Sequence, residues 1–204
     1  GMICIFFFSF FGRRQPFAGL YCCMRGADNL GENLLTVRTA ATFLGRGVAA
    51  VDLAGAEALY PTADFADVFG LAKELGVPFT IHAGEADGPE SIQAALAFGA
   101  SRIGHGVRAA EDPELLARLK EQQIPLEMCP SSNVQTKAVA TLAEHPVLDF
   151  LRRGLKVTIN TDNMTVSDTT IEKEFGLLSR ELGMTAEERK TLLLNAADAA
   201  FFDH

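Results

Sequence analysis

The chain has 204 residues, a formal net charge of −8, and 48% hydrophobic against 22% charged residues. A chain of that length can bury a sizeable core, and the composition is that of a globule, not a disordered segment. The acidic balance excludes an electrostatic footprint for nucleic acid or an anionic membrane surface, so a small molecule is the expected partner.

Residues 1–18 stand apart from the rest. Five phenylalanines crowd Phe6–Phe11, and the run breaks at Gly12-Arg13-Arg14. An apolar run of about ten residues is shorter than the roughly 18 needed to cross a bilayer. Both arginines follow it, the reverse of a signal peptide's charge order. Met2–Ala18 is therefore read as an atypical start, with an edge strand or a membrane anchor as the other readings, and Gly1 resembles a tag-cleavage scar. Residues 19–204 form the domain proper.

From Gly19 onward, strand-type apolar runs fall at Leu20–Met24, Val48–Leu53, Pro78–His82, Arg102–His105, Pro125–Cys129 and Lys156–Asn160. Helical periodicity fills the intervals: Leu34–Leu44, Asp64–Leu75, Glu90–Phe98, Pro113–Gln122, Val147–Arg153 and Thr170–Leu182. Several of these segments stop at glycine (Gly45, Gly76, Gly99, Gly154, Gly183), as helix C-termini do. Glu111-Asp112-Pro113 sets an acidic cap before a first-turn proline. The chain's last stretch, "AADAAFFDH", reads as a further helix. Phe65, Phe69, Phe98 and Phe150 read as helix-face core residues. Cys4, Cys22, Cys23 and Cys129 have no framework spacing and read as buried thiols of a reducing, cytoplasmic compartment.

Alternating strands and helices mean βα units on a parallel sheet, and no Pro- or Ser-rich linker divides them. A doubly wound nucleotide binder should show a glycine-rich phosphate loop after its first strand, and the sequence has neither G-x-G-x-x-G nor G-x-x-x-x-G-K. Polar groups cluster at strand ends instead: Asp52 to Glu57, His82 to Glu85, His105, Cys129 to Asn133, and Asp162-Asn163. In a TIM barrel those ends converge on one mouth, so the fold expected is a β/α barrel. Any one such residue is more often a hydrogen-bonded structural group than a ligand; five in succession point to a site. Ser131 and Ser132 have no evident base beside them and do not read as nucleophiles, and Cys129 before Pro130 reads as structural.

The stretches "VDLAGAE" (Val51–Glu57), "TIHAGE" (Thr80–Glu85), "RIGHG" (Arg102–Gly106), "EMCPSSN" (Glu127–Asn133) and "INTDN" (Ile159–Asn163) resemble, in order and spacing, the strand-end motifs of adenosine deaminases. The resemblance runs from about Leu20 to the end. It implies a TIM-type barrel that removes the 6-amino group of a purine nucleoside by hydrolysis, with zinc as cofactor. Carried over, His82 and Asp162 would be metal ligands, and the metal would lower the pKa of a water. Glu85 would give a proton to purine N1, and His105 would stabilise charge on the oxygen added at C6. Asp162 would also accept the water's proton. Gly55 would approach the purine near N3, and Asn163 would donate to N7, where many relatives carry an aspartate.

One departure is large. The family's first strand carries His-x-His and supplies two more zinc ligands. This chain has only His82, His105, His145 and His204, with no such pair. Neither His145, before Pro146, nor His204 is placed to substitute. Counting agrees, since six βα units are found where a closed barrel has eight. The sequence therefore implies a barrel lacking its first two units, with exposed sheet edges that the Phe-rich start or a second copy of the chain would cover. The alternative to a competent enzyme is an impaired remnant acting through self-association.

Overall fold

Among the described residues, six short strands run parallel, and each is followed by helical structure. The computed structural model describes residues 19–201; the Phe-rich start and the last three residues lie outside them. Strand β1 (Gly19–Met24) pairs with β2 (Val48–Ala54). Strands β3 (Thr80–Ala83), β4 (Arg102–His105), β5 (Leu126–Met128) and β6 (Val157–Ile159) pair in that order. A bridge between Val51 and Phe79, with the Val51 N–H donating to the Pro78 carbonyl at 3.0 Å, joins the two groups. Spatial order thus follows chain order from β1 to β6. A doubly wound sheet would reverse direction at a switch point; consecutive parallel winding is the pattern of a β/α barrel. β2 is buried along its whole length, as expected of an apolar strand covered on both faces.

The helices are α1 (Leu30–Phe43), α2 (Ala66–Glu74), α3 (Pro89–Phe98), α4 (Pro113–Gln122), α5 (Pro130–Gln135), α6 (Val147–Arg152), α7 (Met164–Ser167), α8 (Ile171–Glu181) and α9 (Ala186–Ala199). The segment expected to begin at Leu34 starts a turn earlier, and the one expected from Asp64 opens with a 3-10 turn over Thr62–Phe65. The short α5 and α7 follow strand ends and hold too few residues for an apolar period to register. Asp112 caps α4, accepting from the amides of Glu114 and Leu115 at 2.9 and 3.1 Å ahead of Pro113. Thr185 and Glu188 form a reciprocal capping box on α9.

The core is one apolar cluster running through every strand. Phe65, Phe69 and Phe150 are buried, and Phe98 packs against the cluster more openly. Phe69 lies 4.7 Å from the ring of Phe79 and 5.9 Å from that of Phe98. No described helix is long and apolar enough to cross a membrane.

Among the described residues, the outer edges of β1 and β6 carry no partner strand. The helices beside them expose apolar side chains: Leu30, Leu35 and Phe43 on α1, Leu193 and Leu194 on α9.

A buried ion pair ties the strands together. Arg102 Nε lies 2.6 Å from Glu127 Oε1, and the Thr80 hydroxyl donates to Glu127 Oε2 at 2.8 Å. Arg102 also donates to the Ala199 carbonyl at 2.9 Å and stacks 3.7 Å over Phe201, clamping the end of α9 to β4. Removing one member of such a pair strands the other charge without water. Glu127→Ala is expected to destabilise the fold by roughly 3–5 kcal/mol in urea unfolding, well beyond the cost of an exposed glutamate.

Candidate active site

Parallel register sets the positions first. His82 pairs with Gly104, and Ala83 with His105, so the two histidines leave neighbouring strands at the same rim. Gly104 makes room for the His82 ring: a Cβ there would sit 3.0 Å from His82 Cα and 3.2 Å from Nδ1. The rings of His82 and His105 meet edge to face at 5.0 Å.

His82 Nδ1 lies 3.0 Å from Oδ2 of the fully buried Asp52. Burial disfavours the charged ring, but the charge and hydrogen bond of Asp52, joined by the charges of Asp162 and Glu127, outweigh it and hold the pKa up at about 10. His105 Nε2 stands 3.5 Å from Glu85 Oε2. There burial prevails over the attraction of Glu85, and the pKa of His105 is lowered. Glu85 Oε1 receives the Asn133 amide at 3.0 Å and the Thr136 hydroxyl at 2.9 Å. Ser132 Oγ donates to Asp162 Oδ2 at 2.7 Å, and the charge of Asp162 acts on both His82 and His105. His82, Glu85, His105 and Asp162 are thus brought together at one end of the strands.

His105 and Asp162 hold φ angles of 61° and 54°, in the left-handed region that non-glycine residues rarely adopt. Each marks the point where the chain leaves its strand and turns a side chain into the rim. Backbone strain of this kind clusters at functional sites.

Glu57, only 4% exposed, anchors the Glu85 loop. Its two oxygens accept the amides of Gly84, Glu85, Ala86 and Asp87 at 2.6 to 3.2 Å, and the Ser91 hydroxyl at 2.5 Å. Buried Arg25 bridges the carbonyls of Tyr60 and His82, each at 2.6 Å, tying the end of β1 to that of β3. Gly55 is exposed, with φ 112°, and a Cβ there would crowd the Arg25 backbone at 3.3 Å. Asn163 is exposed and caps α7, its side-chain oxygen accepting the Val166 amide at 3.1 Å, which leaves its amino group to donate.

Sequence reading passed over several neighbours. Ser132 has a carboxylate beside it after all, as donor to Asp162, so the expected isolation of that hydroxyl is corrected. Asn133 was visible only as the last letter of a motif, yet it touches Glu85, His105 and His145. His145, which looked like a helix-start residue, is buried, with Nε2 3.2 Å from Asn133 Oδ1 and Nδ1 accepting the Val147 amide at 3.2 Å. No spacing signal links residues so far apart in sequence.

For a metal, the donors fit in kind and fall short in number. An imidazole and a carboxylate suit zinc, but among the described residues no group of three or more His, Cys, Asp or Glu side chains could hold an ion. Catalytic zinc usually takes three protein ligands.

Consecutive parallel winding with charged groups gathered where the strands end is the architecture of a β/α barrel. The chain belongs to the adenosine deaminase family, whose model matches residues 17–204. It is 53% identical over 188 residues to an adenosine deaminase of Haemophilus ducreyi, covering 91% of this chain and 55% of that protein. Among solved structures, it is similar to an adenine deaminase from Arthrobacter aurescens (TM-score 0.83, 30% identity, 89% of this chain and 55% of that one). It is also similar to an N6-methyl-AMP deaminase from Arabidopsis thaliana (TM-score 0.81, 30% identity, 90% and 53%). The chain spans about half the length of the relatives it matches.

Burial, with the nearby charge of His105, drops the pKa of His145 from 6.5 to about 4. The unfolded chain therefore takes up a proton at this position before the folded one does. Stability is expected to be level above pH 6.5 and to fall between pH 6.5 and about 4, by up to about 3 kcal/mol from this group. Denaturation curves across that window should show a shallower slope in His145→Gln.

Proposed function

We propose that this chain carries the acid-and-donor half of a site that removes the 6-amino group of adenosine as ammonia by hydrolysis to give inosine, or acts likewise on a related 6-aminopurine. The observation that carries the reading is the pairing of Glu85 with His105 across β3 and β4, at 3.5 Å, in a member of this family. Glu85 stands where a carboxyl group can give a proton to N1 of a purine laid over the rim, making C6 electrophilic. His105 faces the same space and stabilises charge on the oxygen arriving at C6. Asp162, steadied by Ser132, takes a proton from the attacking water. The amino group of Asn163 serves N7, and the bare backbone at Gly55 allows the ring to approach near N3.

His82 and Asp162 would supply two ligands to a zinc ion. When bound, zinc would make water a nucleophile near neutral pH. Asp52 orients His82, and buried Cys23 and Cys129 suit a reducing, cytoplasmic setting.

The protein should be assayed with adenosine, adenine and N6-methyl-AMP, with and without added zinc. Formation of the matching 6-oxopurine, inosine from adenosine, is expected, with Glu85→Gln lowering the rate roughly 10²–10⁴-fold while leaving metal content unchanged. No turnover of any of the three by zinc-loaded protein would overturn the proposal.

A second reading, self-association without catalysis, draws on the apolar side chains exposed beside both sheet edges. It expects a dimer or larger species on gel filtration, together with no turnover; a well-behaved monomer would remove it.

A further inference from the structure

We infer that Asn133, backed by His145, fixes the proton of His105 on Nε2, so that His105 meets the site as a hydrogen-bond donor. The inference deepens the proposed function, resting on the same site, but it is carried by hydrogen-bond polarity.

Asn133 is completely buried. At one end of its amide lies the Cys129 N–H, 3.3 Å away, which can only donate. At the other end, 3.0 Å away, lies Glu85 Oε1, an acceptor that also receives the Thr136 hydroxyl. Turning the amide over would set N–H against N–H at one end and oxygen against oxygen at the other. The amide oxygen therefore faces Cys129 and the amino group faces Glu85.

That amino group has two hydrogens and two neighbours: Glu85 Oε1, and His105 Nδ1 at 2.9 Å. Nδ1 must then present its lone pair, and the proton of the neutral ring lies on Nε2, the nitrogen that faces Glu85 Oε2. His145 follows the same logic from the opposite side. Its Nδ1 receives the Val147 N–H, so its Nε2 carries the proton and donates to Asn133 Oδ1. The amide oxygen thus accepts twice and the amino group donates twice. Every contact in the ring of partners matches a donor to an acceptor.

A His105 ring held in this state cannot accept a proton at Nε2. It can hold an oxygen on which negative charge grows, and proton transfer to the purine is left to Glu85. Asn133 is thus a positioning residue that separates two roles between side chains standing 3.5 Å apart.

The test reads protons directly. The chain has four histidines, so two-bond ¹H–¹⁵N correlation spectra of histidine-labelled protein at neutral pH can be assigned by substitution at His105 and His145. Both residues are expected to show the Nε2–H pattern. An Nδ1–H or doubly protonated His105 in the unsubstituted protein would overturn the inference. Asn133→Asp keeps the shape but offers only acceptors, and should move a proton onto His105 Nδ1 while His145 stays Nε2–H. An unchanged His105 pattern in that folded variant would equally overturn it, and if the variant does not fold, the unsubstituted protein decides. The readout needs no turnover. An inactive chain with the expected pattern would count against the deaminase reading alone, and an active one with Nδ1–H against this inference alone.

Discussion

The parallel ladder between β3 and β4 is the constraint on which the candidate site rests. Pairing His82 with Gly104 and Ala83 with His105 sets the two imidazoles on adjacent strand ends one residue apart in register, and the left-handed backbone at His105 lets its ring meet that of His82. Glu85, two residues beyond Ala83, is then within reach of His105. A slip of one residue in register would turn every side chain of the strand to the opposite face and separate the three groups. The glycine at position 104 is part of the same constraint, because any side chain there would press on the His82 ring.

Beyond the strand ends, the rim is held by polar groups that are themselves buried. Glu57 gathers four successive amides and fixes the loop that carries Glu85; Arg25 holds the end of β3 through the His82 carbonyl. A loop whose amides are all claimed by one carboxylate has little freedom to drift, which suits a group that must stand ready in one position. The left-handed backbone at His105 and Asp162 belongs with this: conformations that cost energy persist where the surroundings over-determine them.

How far the sequence could be read follows from the range of each signal. All six strands were legible, because buried parallel strands are short apolar runs with turn residues on either side. The longer helices were legible from period and from their C-terminal glycines, all five of which (Gly45, Gly76, Gly99, Gly154, Gly183) adopt positive φ. The gathering of His82, Glu85, His105 and Asp162 followed from their places at strand ends. Asn133, His145 and Ser132 were not legible in the same way. Their meaning depends on partners 28, 12 and 30 residues distant and on which end of an amide faces which neighbour. Polarity of that kind is a property of three-dimensional contact and has no one-dimensional pattern. The short α5 and α7 escaped for a simpler reason, being too brief to show a repeat.

The clamp between Arg102 and the end of α9 has a consequence for assembly. Its partners are separated by 97 residues, so the bond closes one of the longest loops in the chain. Until Ala199 and Phe201 arrive, the guanidinium at the foot of β4 has no ring above it and no carbonyl to meet. The sheet can begin to form from local neighbours, but the foot of β4 is closed only once α9 docks, which makes docking of that helix a late event in folding.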